Sequence, residues 1–182
     1  LDNNKSDITA SKVFCYTHCL ENTHIINTLR KFTTDFELFC HNSDTNFEKK
    51  YLYLFDKVPN LKHIHTPPEL QIITFDASKL GAAHLPEGCE DYAGSIYGLN
   101  FNAHLRNVIE NNIEHLDPVT AATDVCAVVE KNNNKLVKSI LLECTNLPPY
   151  KSEIRRISNV PIYDILTAIE NKLPNSVHEY FL

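Results

Sequence analysis

A chain of 182 residues with a net charge of -6, 43 % hydrophobic and 22 % charged residues has the balance of a soluble globular protein of one or two domains. The acidic charge excludes the basic face that a nucleic-acid partner requires, and no apolar run approaches the ~18 residues of a membrane-spanning helix. The polar start, LDNNKSDITA, lacks the basic-then-apolar pattern of a signal peptide. A cytoplasmic protein follows, with no membrane partner, whose six cysteines are free thiols, catalytic groups or ligands rather than disulfides.

In chain order, Val13 to Thr17 reads as a first strand, and Leu20, Ile25, Ile26, Leu29 and Phe32 recur at helical spacing. Phe36 to Cys40 reads as a second strand, and Phe47, Tyr51 and Phe55 give another helical face. Three prolines punctuate residues 59–68 and mark a domain joint. Beyond it, Leu70 to Phe75 (LQIITF) is an apolar run of parallel-strand type. Residues 81–94 are irregular, and Ser95 to Tyr97 forms a short strand. Phe101, Leu105, Val108, Ile109 and Ile113 line one helix face. Asp117-Pro118 has the N-cap and first-turn arrangement of a new helix, whose stripe is Val119, Ala122, Val125, Cys126 and Val129. Val137 to Leu142 and Val160 to Tyr163 are further buried strands. Ile165 to Leu173 is a closing helix that Asp164 caps.

Alternation of short apolar runs with longer amphipathic ones predicts an α/β fold of mostly parallel sheets flanked by helices. The proline-punctuated joint divides it into an N-terminal α/β unit over residues 1–66 and a C-terminal α/β unit over residues 67–182. Neither GxGxxG nor GxxxxGK[ST] occurs, so no nucleotide phosphate loop is expected.

The stretch LLECTNLPPY, Leu141 to Tyr150, carries the chemistry. In an open α/β sheet, ligands bind outside the carboxyl ends of the strands, and Cys144 stands at such an end. Thr145 and Asn146 follow with small hydrogen-bonding side chains, and Pro148-Pro149 starts a helix. A helix start stabilises anions, which would lower the thiol pKa toward thiolate or hold a substrate carboxylate. The alternative is a cysteine that only fills the core. Asp76, where the chain leaves the Leu70 strand, reads either as a pocket residue or as a cap for the turn that follows. Lys151, Arg155 and Arg156 read as a solvated basic face. Cys15, Cys19, His18, His24, Cys40 and His41 could suggest zinc, but the adjacent Cys40-His41 pair is poor geometry for two tetrahedral ligands. No metal site is assigned there or at His63 and His65.

LLECTNLPPYKSEIRRISNVPIYDIL resembles the C-terminal catalytic segment of the aspartate/glutamate racemase superfamily. LQIITFDASKLGAAHL and HLDPVTAATDVCAVVEKN extend the resemblance over about Glu69 to Leu173. It implies a cofactor-independent isomerase in which two cysteines face opposite sides of an α-carbon, one removing the proton and the other returning one. By the resemblance Cys144 is a catalytic cysteine, Thr145 and Asn146 bind the α-carboxylate or amino group, and Cys19, in the T-x-C setting of Thr17-His18-Cys19, is the second thiol. The implied substrate is a small acidic amino acid, aspartate or glutamate, and a homodimer is the implied assembly. The resemblance also implies that the two α/β units are similar, the N-terminal one being partial and truncated. A one-base or non-catalytic relative, binding a small molecule on the same fold, is the alternative.

Overall fold

The computed structural model describes the backbone of two strands, Val13–Thr17 (β1) and Phe36–Cys40 (β2), and residues 66–182 apart from Pro86. The chain divides into two compact units, Leu1–Phe47 and Glu48–Leu182. In the first, β1 and β2 run parallel, in register from Val13 opposite Phe36 to Thr17 opposite Cys40. The proline-punctuated joint expected at residues 59–68 lies mostly outside the described residues.

The second unit is built on Leu70–Thr74 (β3), Ile96–Gly98 (β4), Ser139–Leu142 (β5) and Ile162–Tyr163 (β6). These four form one sheet in the order β4-β3-β5-β6, and every pairing is parallel. Every residue of β3 and β5 is buried, as a parallel sheet covered on both faces requires. The α/β reading of the sequence is therefore correct, and the strands fall within two residues of their expected ends.

Four α-helices accompany the sheet: His104–Asn111 (α1), Pro118–Asn132 (α2), Lys151–Ile157 (α3) and Ile165–Lys172 (α4). α1 is shorter than its apolar stripe suggests. Ala103 caps its start, Asn112 adopts a left-handed conformation (φ 49) that stops it, and Phe101 is left exposed outside it. α2 begins as expected, with the Asp117 carboxylate accepting from the Val119 N–H and Pro118 at the first helical position.

Alternation along the strands sends Ile73, Ile140, Leu142 and Ile162 to one core, where they meet Leu105 of α1, Ala121, Val125 and Val129 of α2, and Ile154 of α3. Truncating one of these aliphatic side chains to Ala typically costs roughly 2–5 kcal/mol. Gly98 is a close-approach position: a Cβ there would come within 2.5 Å of the Ala77 backbone nitrogen. Glycine at the end of β4 thus lets the turn that leaves β3 pass against it. Among the described residues, no helix is long and apolar enough to cross a membrane.

One expectation fails. Lys151 is not on a solvated face: it is 1 % exposed, and its Nζ lies 2.7 Å from Oδ2 of Asp164, which is fully buried. The same ammonium donates to the Phe181 carbonyl oxygen at 2.6 Å. Asp164 also caps α4, its Oδ1 accepting from the Thr167 N–H at 2.8 Å and hydroxyl at 3.0 Å. Arg155 and Arg156 of α3 do reach solvent. Removing one partner of a buried ion pair strands the other charge in a low dielectric, at a cost of roughly 3–5 kcal/mol. Lys151→Met is therefore expected to destabilise by about that much in urea unfolding, whereas Arg156→Ala should stay within about 0.5 kcal/mol of wild type. Equal effects would show that the pair contributes no more than a surface charge.

Candidate active site

The strand order places a topological switch point between β3 and β5. The chain leaves β3 for β4 on one side and returns to β5 on the other. Parallel sheets of this kind open a crevice there, beyond the carboxyl ends of the two strands. The residues that follow those ends are Phe75-Asp76 after β3 and Glu143-Cys144 after β5, and of these Asp76, Glu143 and Cys144 are buried. The pairing continues past β5, since the Glu143 N–H donates to the Ile73 carbonyl at 2.9 Å.

Cys144 begins a tight turn. Its carbonyl accepts the Leu147 N–H at 3.0 Å, and the Leu147 carbonyl accepts the Tyr150 N–H at 3.0 Å, closing a 3-10 turn over Pro148–Tyr150 that runs into α3. The turn folds over its own thiol: the Asn146 side-chain amide donates to the Cys144 sulfur at 3.9 Å. Thr145 and Asn146 then form part of the wall of a cleft of about 610 Å³ whose other walls come from α1, α2 and α3. Most of that lining is apolar, including Leu105, Ile109 and Ala122, with Glu153 and Arg156 supplying charge. Two aromatic side chains also line it, the buried Tyr150 and the exposed Tyr180.

The thiol itself is 2 % exposed. Burial pushes its pKa up from 9.0 to about 12, and the neighbouring Glu143 carboxylate adds to the rise. The N–H groups of Asn146 and Phe75 and the Asn146 amide offset only part of it. The expected lowering of the thiol pKa by a helix start is thus corrected, for two reasons. Desolvation disfavours the charged form, and the amides of a helix start are missing or engaged. Pro148 and Pro149 have no N–H, while those of Leu147 and Tyr150 already bond the chain.

Asp76 takes the capping role. Its Oδ1 accepts from the Ser78 N–H at 3.0 Å and hydroxyl at 2.6 Å, and Oδ2 pairs with Arg106 of α1 at 3.0 Å and Lys79 at 3.7 Å. Burial opposes ionisation of this carboxyl, but the Ser78 bonds and the two cations outweigh it, so its pKa is lowered. It does not line the cleft. Thr17 ends β1, in the other unit, and its side chain is not described; Cys19 and His18 lie outside the described residues. Those residues contain no group of three or more His, Cys, Asp and Glu side chains able to hold a metal ion. The side chains of Cys15 and Cys40, and all of His24, His41, His63 and His65, lie outside them. Sequence reasoning missed Lys151 as the anchor of the turn and Tyr180 as a cleft residue. Neither carries a local signal, because both act through partners distant in sequence.

No protein-family model and no solved structure matches the chain. Two curated relatives do. The chain is 33 % identical over 86 residues to dimethylsulfoniopropionate lyase 3 of Emiliania huxleyi (strain CCMP1516), and equally to dimethylsulfoniopropionate lyase 6 of the same organism. Each match covers 47 % of this chain but only 21 % of the relative's length. Both relatives are lyases. This overturns the expected isomerase, an amino-acid racemase acting on aspartate or glutamate with two cysteines. The relatives' reaction class breaks a bond by elimination, whereas a racemase returns a proton to the same carbon.

The raised thiol pKa has a consequence for stability. The folded protein favours neutral Cys144, so its contribution is intact below the unfolded value of 9.0 and lost as pH rises toward about 12. Between about pH 9 and pH 10.5, wild type should lose roughly 1–2 kcal/mol more stability than Cys144→Ala, measured by urea unfolding at each pH. Parallel losses would mean that the thiol ionises in the folded state as readily as in the unfolded one.

Proposed function

We propose that the cleft beside Cys144 is a lyase site for a small carboxylate bearing a sulfonium leaving group, dimethylsulfoniopropionate or a close analogue. The observation that carries this reading is the position of Cys144 at the switch-point end of β5, one residue before Thr145 and Asn146 of the cleft wall. Cys144 itself is buried and does not line the cleft, so the substrate reaches it only past these two residues. The lyase relatives supply the reaction class.

In this reading the Cys144 thiolate takes the proton from the carbon adjoining the substrate carboxylate. The C–H electron pair becomes the new carbon–carbon double bond, and the C–S pair leaves with sulfur, neutralising the sulfonium. The products are dimethyl sulfide and acrylate, and the proton on Sγ passes to solvent to restore the base. Thr145 and Asn146 hold the carboxylate and stabilise the charge that builds on it as the proton leaves. The high thiol pKa makes the thiolate scarce but strongly basic, and an incoming sulfonium cation lowers the cost of forming it. The scaffold proposed is that of the aspartate/glutamate racemase superfamily, used here with one base. The reaction as written gives Thr17, Cys19 and Asp76 no step. Cys126 and Cys144 are free thiols, which a reducing compartment such as the cytoplasm would preserve.

The test is release of dimethyl sulfide from dimethylsulfoniopropionate, followed by gas chromatography. Cys144→Ala should lower kcat by at least about 100-fold, the usual contribution of a general base. For wild type, kcat/KM should climb about tenfold per pH unit from about pH 7 to pH 9 without a plateau, because only the thiolate acts. Undiminished release by Cys144→Ala would remove the thiol from the chemistry, and absence of release by wild type would reject the substrate class.

A further inference from the structure

The geometry points to Tyr180 as the residue that recognises the sulfonium end of the substrate; this rests on the lyase reading of the same cleft. Tyr180 belongs to a 3-10 turn, Glu179–Phe181, far in sequence from the other cleft residues. It nevertheless lines the cleft while 61 % exposed.

The turn is held in place from several directions. Lys151, whose own charge is fixed by buried Asp164, donates to the Phe181 carbonyl at 2.6 Å. Arg155 donates to the Leu182 carbonyl. The His178 ring nitrogen Nδ1 accepts the Tyr180 N–H at 3.2 Å, and Phe181 packs edge-on against the Tyr180 ring, with centroids 5.1 Å apart and planes at 89°. An exposed aromatic ring with this much support is preorganised for a ligand rather than left to rotate freely.

Ring chemistry then selects the ligand. The face of a tyrosine attracts a cation held within about 6 Å of its centre. Two other aromatic rings already carry the chain's own cations, Phe75 under Lys79 at 5.1 Å and Phe101 under Arg106 at 5.4 Å. Tyr180 carries none among the described residues, and the cleft it lines also contains the Glu153 carboxylate, with the Arg156 guanidinium 3.8 Å from it. A sulfonium is a soft, weakly hydrated cation with apolar methyl groups, suited both to an aromatic face and to the apolar walls formed by Leu116 and Val119. Placing that end at Tyr180 leaves the carboxylate for Thr145 and Asn146 on the same cleft's wall.

Calorimetric titration with dimethylsulfoniopropionate and with isocaproate, the carbon isostere that keeps the carboxylate and lacks the sulfonium charge, tests the assignment. Wild type should bind the sulfonium compound roughly 2- to 30-fold more tightly than isocaproate, the range expected of one cation–aromatic contact. Tyr180→Ala should remove that preference and Tyr180→Phe, which keeps the ring face, should retain it. The inference falls if wild type shows no preference, if it binds neither compound, or if Tyr180→Ala keeps the preference. A Tyr180-dependent preference without dimethyl sulfide release would reject the lyase chemistry and leave the recognition standing. Release with a KM unchanged in Tyr180→Ala would reject the recognition and leave the chemistry.

Discussion

An ammonium sealed inside a protein must find its counter-charge there, and the Lys151–Asp164 pair organises the carboxyl edge of the sheet around that requirement. Lys151 opens α3, immediately after the turn that carries Cys144. Asp164 directly follows β6 and caps α4. The 2.7 Å contact therefore ties the segment after β5 to the segment after β6, and the bond to the Phe181 carbonyl brings in a third, distant piece of chain. A pair of this kind is weak evidence of net stability, because desolvating both charges offsets much of their attraction. Its effect is positional. Once both charges are buried, the segments bearing them have few alternative arrangements, and the cleft walls built on them are fixed.

The same burial shapes the thiol. A cysteine at a strand end is accessible only if the following turn leaves it so, and here the turn closes over it. Ionisation is then opposed by lost solvation and by Glu143, with a few N–H groups in favour. Such a thiol is inert toward an anionic or neutral visitor that does nothing for its charge. In the proposed reaction the sulfonium group of the zwitterionic substrate would bring a counter-charge that the protein does not supply. The aromatic wall at Tyr180 would receive that same group in the proposed binding mode.

An α/β scaffold with a parallel sheet supports many chemistries, so the fold class does not choose between a racemase and a lyase. Both reactions begin with removal of a proton beside a carboxylate by a base at a strand end. They part at the next step, in which either a facing acid returns a proton or a leaving group departs. The ECTN-PPY stretch resembles a racemase segment, whereas the curated relatives are lyases that the chain matches over 21 % of their length.

The sequence by itself determined what depends on near neighbours. Apolar runs located β3 and β5, Asp117-Pro118 the start of α2, Asp164 the cap of α4, and the end of the Val137 to Leu142 run placed Cys144 at a strand end. These features follow from periodicity and from capping bonds made within a few residues. Tertiary structure alone decided the rest. The order β4-β3-β5-β6 creates the switch point, and Asp164 converts Lys151 from an apparent surface charge into a buried anchor. The turn over Cys144 raises the pKa that a helix start was expected to lower, and Tyr180 enters the cleft from a remote turn. Each depends on segments far apart in the chain meeting, and on how much water that meeting excludes. Burial sets the strength of every charge interaction at this edge, and burial is a property of the packed whole.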